Sequence, residues 1–261
     1  LSVMASFAAI GDQASDGVLV FLEDASAISQ RAQHLKLAGL GRLAASIAHE
    51  IRNPLGAVSH ASQLLGESAN LDRADRRLLQ MVKDNTQRMN AIIENVLQLS
   101  RGRPAEPESL ALGEWLRGFA GEFAAGNAID GDVLSITVEP PDLRVRFDPS
   151  QLRQVIWNLC ENGVRHSNGA PALELRAGIS RETRRPYLEV SDDGEGIKVG
   201  DEEQIFEPFY TTRADGTGLG LYLARELCEG NQASLNLMPR ARGSCFRITF
   251  AHPGRRSHIP S

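Results

Sequence analysis

One histidine of this chain lies beside an acid and an amide, in the segment Ala48-His49-Glu50-Ile51-Arg52-Asn53-Pro54-Leu55. Because helical residues three and four apart are neighbours, a helix here would place His49, Glu50 and Asn53 on one surface patch. A carboxylate beside a histidine can fix its tautomer and accept its proton, which makes the other ring nitrogen a better nucleophile near neutral pH. The amide can orient a water molecule. This patch therefore suits a phosphoryl acceptor.

The helix expected to carry this patch has an apolar stripe made of Leu37, Leu40, Ala44, Ile47, Ile51, Leu55, Val58 and Leu65. At about 100° per residue, His49 points directly away from that stripe and is predicted to face water. Pro54 crowds the carbonyl of Glu50 and should bend the helix within a turn of the histidine. A lone surface histidine is usually inert, and His60 lies on nearly the same face without the following acid and amide. Further motifs are therefore needed to assign a role to either one.

Composition places the chain among globular proteins of about two domains, since it has 261 residues and 42% hydrophobic content. A net charge of −5, with scattered basic residues, argues against a nucleic-acid-binding protein. Cys160, Cys228 and Cys245 lie in apolar runs without metal-ligand spacing, which predicts buried, reduced thiols. No apolar run reaches the roughly 18 residues of a membrane span. The chain begins at Leu1 without a signal-peptide pattern, so we expect it to be a fragment of a longer protein.

The N-terminal part predicts a strand pair followed by two long helices. The strand pair, residues 1–24, cannot bury its own face, so we expect it to complete a domain that lies upstream. The helical pattern runs from Ala25 to about Gly66, residues 68–75 reverse the chain, and a second stripe follows at heptad-like spacing: Leu78, Val82, Asn85, Met89, Ile92, Val96 and Leu99. Two antiparallel helices with one stripe each bury too little surface, so we predict a four-helix bundle made by a homodimer. Asn85 either sets the register of that bundle or lies at its boundary.

The C-terminal part predicts a separate domain of mixed helices and strands. Pro104 and Pro107 mark Arg101–Ser109 as a linker, and the domain is expected to begin near Leu110. Strand-like and helical patterns then alternate, which is typical of an α/β sandwich. The predicted strands are residues 134–139, 173–179, 187–191, 234–238 and 246–250, and the predicted helices are residues 113–125, 149–166 and 218–230.

Two motifs in this domain carry amide and carboxylate groups that suit a nucleotide. Asn158 and Asn162 are four residues apart on the helix after Asp148-Pro149, so they project from one face. Amide oxygens there suit a Mg²⁺ that keeps several waters and is shared with phosphates. In Asp192-Asp193-Gly194-Glu195-Gly196, a carboxylate at a strand end can accept a hydrogen bond from the exocyclic amine of a base. Asp-Gly is also an ordinary turn, and an EF-hand is disfavoured because its later ligands are missing.

Two further motifs predict a flap and a phosphate-binding helix start. Phe206-Glu207-Pro208-Phe209-Tyr210-Thr211-Thr212-Arg213 is an aromatic, proline-containing segment in a polar loop, which predicts a mobile flap. Gly216-Thr217-Gly218-Leu219-Gly220-Leu221 opens a helical run, and glycines at a helix start leave amides free to hold phosphate. Its G-x-G-x-G spacing after a loop disfavours a dinucleotide fingerprint. The sequence also lacks the H-R-D and D-F-G elements of protein kinases.

The segment around His49 and these four motifs together resemble the H, N, G1, F and G2 boxes of sensor histidine kinases, in the same order and spacing. The resemblance covers about residues 25–250. The compact lid from Phe206 to Arg213 is similar to that of nitrogen-regulation-type kinases, and the segments 41–50 and 157–162 are most similar to the sensors of type IV pilus transcription. The resemblance implies an α+β chain. An antiparallel helical hairpin would form a dimeric four-helix bundle, followed by an α/β sandwich ATP-binding domain of the gyrase, Hsp90 and MutL type, the Bergerat or GHKL fold.

The resemblance also implies roles for single residues, with ATP and Mg²⁺ as the cofactors. Asn162 would bind the metal and Asp192 would take the adenine amine. Related ATPases carry a water-activating glutamate where this chain has Asn158, and its loss favours transfer to His49 over hydrolysis. The other implied nucleotide-binding residues are Asn158, Arg165 and His166 near the phosphates, Gly194 and Gly196 at the adenine, and Thr212, Arg213, Gly216, Thr217, Gly218, Leu219 and Gly220 in the lid.

Domain limits, partners and location follow from the same resemblance. The implied domains are the end of an upstream PAS-like sensor (1–24), a signal helix with the phosphoacceptor domain (25–103), a linker (104–109), the ATP-binding domain (110–255) and a tail (256–261). The implied partners are a second copy of the chain and the receiver domain of a response regulator, without direct binding of nucleic acid. We expect this fragment in the cytoplasm and the full-length protein, anchored upstream, at the inner membrane.

Three positions depart from the family pattern. Gly163 stands where the family usually has alanine, which weakens its helix by up to about 1 kcal/mol. The late glycine element is reduced to Arg242-Gly243-Ser244-Cys245-Phe246, and Gly230-Asn231 replaces a more usual glycine pair. We expect neither of these last two departures to touch the chemistry.

The resulting hypothesis is that His49 attacks the γ-phosphate of MgATP in line, with Glu50 as base or orienter, and then passes the phosphoryl group to an aspartate of a response regulator. Asn53 would support water-mediated dephosphorylation of that regulator. Two alternatives come from other classes of protein: an interaction module that ATP closes without any phosphorylation, and an ATPase of the same fold. The intact Glu50 and Asn53 argue against the first, and Asn158 argues against the second.

Overall fold

The computed structural model describes residues 3–9, 18–24, 51–67, 71–101, 104–127, 129, 133–167, 172–213 and 216–251. The chain divides into two compact units, Leu1–Gly102 and Arg103–Ser261. A small apolar cluster lies in the first unit and a much larger one in the second. Within the described residues, no helix combines the length and apolar character needed to cross a membrane.

The first unit contains a strand pair and a helical hairpin. Strands β1 (Val3–Ala9) and β2 (Val18–Asp24) pair antiparallel, as the sequence predicts. Helix α1 covers residues 51–66 of the described chain, and α2 is Arg73–Arg101. A reciprocal cap begins α2, because the amide of Asp75 donates to Asp72 Oδ1 (2.8 Å) and the amide of Asp72 donates to Asp75 Oδ2 (3.4 Å).

The two helices run antiparallel with a narrow contact between them. Leu55 of α1 packs with Ile93 and Leu97 of α2. Arg52 forms an ion pair with Glu94. The predicted apolar stripe of α2 lies elsewhere: Leu78, Val82, Asn85 and Met89 are all exposed in the single chain. These four positions therefore mark a surface that the intrachain hairpin leaves uncovered.

The second unit is built on a five-stranded sheet of order β4-β6-β7-β9-β8, in which β4 and β6 are parallel and the other neighbours are antiparallel. Its strands are β4 Leu134–Val138, β6 Leu173–Ile179, β7 Pro186–Asp192, β8 Ser234–Leu237 and β9 Cys245–Thr249. Strands β3 (Glu108–Ala111) and β5 (Arg144–Phe147) form a separate antiparallel pair. All five strands predicted from the sequence are present, with ends that differ by one residue at most.

Helices α3 (Leu112–Asn127), α4 (Pro149–His166) and α5 (Gly220–Gly230) pack on the sheet around one apolar core. Alternating burial along β6 and β7 explains this arrangement, since one face of each strand is apolar and joins the core. Aromatic rings join α3 to α4, with the centroids of Phe123 and Trp157 5.1 Å apart in an edge-to-face contact. The α/β sandwich expected from the sequence is confirmed.

The sequence missed strands β3 and β5, and the difference shortens the linker. Glu108 and Ser109 were placed in the linker, but they pair with Phe147 and Arg146. Each of these strands has four residues, too few for a clear alternating pattern, and their partners lie about 35 residues apart in sequence. The three cysteines are free and buried, as predicted.

Candidate nucleotide-binding site

The carboxylate of Asp192 is held in one orientation at the end of β7. Its Oδ1 accepts hydrogen bonds from the amides of Gly194 (2.9 Å) and Ser244 (3.0 Å), and the residue is buried. The amide of Asp192 in turn donates to the carbonyl of Ser244 (3.0 Å). Both donors converge on Oδ1, so Oδ2 is the oxygen left without a protein donor within the described part of the chain. A fixed, buried carboxylate with one available oxygen suits a hydrogen-bond donor on a ligand.

Glycines allow the main chain to pack closely around Asp192. A Cβ on Gly194 would lie 2.6 Å from the carbonyl oxygen of His166. Gly243 has a φ of +71°, and a Cβ there would collide with the carbonyl of Asp192. Gly196 also has a positive φ, +79°. The expectation that the late glycine element does not touch the site is therefore wrong, because Gly243 and Ser244 contact Asp192 directly.

Helix α4, which carries the two asparagines, packs on Asp192 near its C-terminal end. Asp148 caps the helix, with Pro149 in its first turn, and its other end is covered by β6 and β7. Gly163 is in close contact there, since a Cβ would lie 2.5 Å from Leu173 Cδ2 and 3.1 Å from Asp192 Cβ. The half-buried Asn162 is therefore the immediate neighbour of the residue that packs on Asp192.

The first asparagine joins α4 to the start of α5. Asn158 is half-buried, and its Nδ2 donates to the carbonyl of Gly220 at 3.2 Å. Leu219, the residue before α5, is buried, and its amide donates to Thr217 Oγ1 at 3.4 Å. The glycine motif therefore opens a helix, as predicted, and lies against the face of α4 that carries Asn158.

The lid segment lies against the same glycine motif. Its first residue, Phe206, is the last residue of a short 3₁₀ helix, Gln204–Phe206. Phe209 has a φ of +69°, and its amide donates to the carbonyl of Gly218 at 2.8 Å. A Cβ on Gly218, whose φ is +67°, would collide with the backbone of Phe209. The two segments therefore fit together only because position 218 is a glycine.

The end of the lid reaches the C-terminal turn of α4. Nη1 of Arg213 donates to the carbonyl of Arg165 at 2.9 Å, and Arg165 forms an ion pair with Glu161 at 3.6 Å. Thr212 and the side chain of His166 are exposed. A Cβ on Gly216 would collide with the side chain of Thr211. Arg213 therefore joins the end of the lid to α4, next to His166.

The structure describes only part of the predicted phosphoacceptor segment, from Ile51 onward. His49 and Glu50 lie outside the described residues. Asn53 and His60, on α1, are both exposed. Ile51, Val58 and Leu65 of the predicted stripe are exposed as well, whereas Leu55 packs on α2.

The residues available for a metal ion are amides rather than acids. Within the described ranges, no group of three or more His, Cys, Asp or Glu residues could hold a metal ion. The half-buried amide of Asn162 offers an oxygen ligand of the type that Mg²⁺ prefers, but one such ligand cannot hold the ion by itself. This donor set fits a Mg²⁺ that shares its coordination with nucleotide phosphates.

Sequence reasoning missed several residues that support the site from behind. Nη1 of Arg240 donates to the carbonyl of Asp192 at 3.2 Å. Asp193 accepts hydrogen bonds from the amide of Ala172 and the hydroxyl of Ser167, and the bond from Ala172 holds its pKa below the ordinary value. No motif signals these contacts, because each partner lies on a different loop.

Comparisons with known proteins identify both units. The family described as "Histidine kinase-, DNA gyrase B-, and HSP90-like ATPase" matches residues 147–254, and the "His Kinase A (phospho-acceptor) domain" matches residues 40–105, which include His49. The sensor protein kinase PilS of Pseudomonas aeruginosa is 52% identical over 98% of this chain and 49% of its own length. The sensory histidine kinase/phosphatase NtrB of Rhodobacter capsulatus is 31% identical over 80% of this chain and 61% of its own length.

A solved structure shares the fold. The histidine kinase ThkA in complex with the response regulator protein TrrA aligns with 95% of this chain and 78% of that chain, with a TM-score of 0.61 at 21% identity. This likeness concerns the fold alone. The chain spans about half the length of PilS, and the similarity extends over nearly the whole of this chain.

Proposed function

Because the chain belongs to the sensor histidine kinases, we propose that its second unit binds ATP and that the terminal phosphoryl group is transferred to His49 of the first unit. The observation that carries this proposal is that α4 contacts both the predicted base-binding residue and the predicted phosphate-binding segment: Gly163 packs on Asp192, and Asn158 donates to the carbonyl of Gly220 at the start of α5. These groups offer what a nucleotide needs: a fixed acceptor for the base, amide oxygens and a glycine-rich helix start for the phosphates.

Asp192 recognises the adenine in this proposal. Oδ1 is occupied by two backbone amides, so Oδ2 accepts from the exocyclic amine of the base. Gly194 and Gly196 shape this pocket, because a Cβ at either position would press on a neighbouring carbonyl, that of His166 or that of Gly243.

The phosphates lie between α4 and the start of α5. Asn162 would supply an oxygen ligand to Mg²⁺, and the bound ion would offset the charge that builds on the transferred group. Asn158, Arg165 and His166 approach the phosphates from α4. Gly216, Gly218 and Gly220 hold the lid and the phosphates from the other side. The lid is completed by Thr212, Arg213, Thr217 and Leu219.

His49 is the nucleophile, and Glu50 holds its tautomer and takes its proton. One ring nitrogen attacks the γ-phosphorus in line, a P–N bond forms, and the bond to the leaving oxygen of ADP breaks. Related ATPases carry a water-activating glutamate where this chain has Asn158. The Asn158 side chain is an amide, and it donates to the carbonyl of Gly220. Transfer to the histidine is therefore favoured over hydrolysis.

The acceptor unit works as a homodimer in this proposal. The exposed apolar residues of the hairpin support it, because a second copy would cover them: Ile51, Val58, Leu64, Leu65, Leu78, Met81, Val82 and Met89. The phosphoryl group then passes to an aspartate of a response regulator. The exposed Asn53 orients water for the reverse, dephosphorylating reaction. Location of the full-length protein at the inner membrane stays a prediction, which cell fractionation would test.

Substitution of the acceptor tests the proposal. His49→Ala should abolish incorporation of radioactive γ-phosphate into the chain, while the dissociation constant for ATP stays within about twofold of wild type. His60→Ala is the matched control, because His60 is an exposed histidine of the same helix, and it should incorporate phosphate normally. Continued incorporation in His49→Ala would refute the assignment. Steady release of phosphate by wild type without a phosphoprotein would favour the ATPase alternative.

A further inference from the structure

Asp148 divides its two carboxylate oxygens between a helix and the linker. Oδ1 accepts from the amide and hydroxyl of Ser150 (2.9 and 2.7 Å) and from the amide of Gln151 (3.1 Å), which caps α4. Oδ2 accepts from the amide of Glu106 at 3.1 Å, in the segment that precedes β3. Burial opposes ionisation, but these hydrogen bonds outweigh it and hold the pKa of Asp148 below its ordinary value.

The bond to the linker replaces a backbone pairing that this sequence cannot make. Strand β3 pairs with β5 from Glu108 opposite Phe147. Continued in register, Glu106 would face Pro149, which already belongs to α4 and directs its carbonyl along the helix rather than toward the Glu106 amide. The carboxylate of Asp148 therefore holds Glu106 just beyond the end of the backbone ladder.

Asn231 extends this connection to a second helix. The amide of Asp148 donates to Asn231 Oδ1 at 2.8 Å, and Asn231 Nδ2 donates to Gln151 Oε1 (2.6 Å) and to the carbonyl of Leu227 (2.8 Å). Asn231 is 2% exposed. A glycine here, the more usual residue, could make none of the side-chain bonds. The expectation that Gly230-Asn231 has no bearing on the site is therefore incomplete.

Helices α4 and α5 are consequently tied together at two places. One tie is Asn231 with Asp148 and Gln151, next to the linker. The other is Asn158 with the carbonyl of Gly220, at the candidate phosphate site. The linker is thus joined through hydrogen bonds to the helix pair that carries the nucleotide-binding residues.

We propose that Asp148 and Asn231 are positioning residues that fasten the linker at Glu106 to the α4–α5 pair and so set the length of the free tether between ATP-binding unit and phosphoacceptor. This proposal rests on the proposed kinase function. Four residues separate the end of α2 at Arg101 from Glu106. If Glu106 is released, the next fastened position is Pro107, whose carbonyl accepts from Arg146 Nε at 3.4 Å, and five residues separate it from Arg101. Effective concentration falls roughly as the 3/2 power of tether length, so release of Glu106 should lower the effective concentration of one unit at the other by about 1.4-fold.

Asp148→Asn separates the two roles of this residue. Asparagine is as good a helix cap as aspartate, but its amide has one acceptor oxygen, so it cannot serve both the cap and Glu106. The cap offers three donors and the linker one, so the oxygen should stay with the cap. Asp142→Asn is the matched control, because it removes the same charge from an exposed turn of the same unit.

The experiment uses the full chain and three measurements. In Asp148→Asn, hydrogen exchange of the Glu106 amide should accelerate at least tenfold, the kcat of autophosphorylation should fall about 1.4-fold, and the KM for ATP should stay unchanged. Glu106→Pro removes the donor instead and should lower kcat by the same factor. The double variant should show no further loss, since both substitutions break one bond. Asp142→Asn should match wild type throughout.

Each other outcome counts against the proposal. An unchanged Glu106 exchange rate would show that the carboxylate does not hold the linker, and faster exchange with unchanged kcat would show that this hold does not affect the reaction. A raised KM, or a lowered melting temperature in Asp148→Asn equal to that of Asp148→Ala, would reduce the residue to a structural cap. Absence of autophosphorylation in wild type would refute the kinase function instead. The exchange measurement would still show whether the carboxylate of Asp148 holds the Glu106 amide.

Discussion

The contact between Gly243 and Asp192 predicts that one methyl group will damage both stability and nucleotide binding. Gly243 has a φ of +71°, and a Cβ would collide with the carbonyl of Asp192. Alanine in the left-handed region costs about 1 kcal/mol. The collision would also separate two hydrogen bonds between Asp192 and Ser244, one neutral and one to the carboxylate, worth together about 3 kcal/mol. Gly243→Ala should therefore cost about 4 kcal/mol.

Gly200→Ala isolates the backbone part of this cost. Gly200 has a φ of +100°, also in the left-handed region, but no atom lies within 4 Å of its added Cβ. It should therefore cost only about 1 kcal/mol. The two variants differ by one feature, the close approach to Asp192.

Urea unfolding followed by tryptophan fluorescence measures the difference. Both tryptophans of the chain, Trp115 and Trp157, lie in the second unit, so the signal reports that unit within the whole protein. Calorimetric titration with ATP should show affinity lowered more than tenfold in Gly243→Ala and less than twofold in Gly200→Ala. Equal losses of stability in the two variants would refute the role of the contact, as would normal ATP affinity in folded Gly243→Ala.

Three more predictions follow from burial and hydrogen bonding. Asp192→Asn should keep the fold, because the amide oxygen can still accept hydrogen bonds from the backbone. It should weaken ATP binding by about 10- to 100-fold, since an amide N–H would face the adenine amine. An unchanged affinity in calorimetric titration would contradict this. Burial raises the pKa of the Cys160, Cys228 and Cys245 thiols, so none should react with a thiol reagent at pH 8 until urea unfolds the second unit, and a fast-reacting thiol in native protein would disprove it. The pKa of Asp148 is lowered on folding, so its ionised carboxylate stabilises the folded state above the ordinary value of 3.8, and this stabilisation is lost as pH falls through the lower folded pKa. Between pH 5 and pH 2, the free energy of unfolding of wild type should therefore fall more than that of Asp148→Asn. Parallel losses in the two proteins would contradict this.

Local signals in the sequence were sufficient for most elements of the second unit. Helix α4 begins and ends at the predicted residues because its cap, Asp148-Pro149, and its apolar periodicity are both signals between residues close together in the sequence. The strand before Asp192 and the helix after Gly220 were found for the same reason. Strands β3 and β5 were missed, since each has four residues and gains its stability from pairing with a distant segment.

The site divides in the same way. The sequence alone was enough to predict which residues carry the chemistry, because a carboxylate after a strand, two amides on one helical face and glycines at a helix start are local patterns. Only the tertiary structure decided what holds them: Ser244 on Asp192, Asn231 on Asp148 and Arg213 on Arg165. Each of these bonds joins residues at least 48 positions apart, and such contacts are set by the packing of whole helices and strands rather than by any periodicity along the chain.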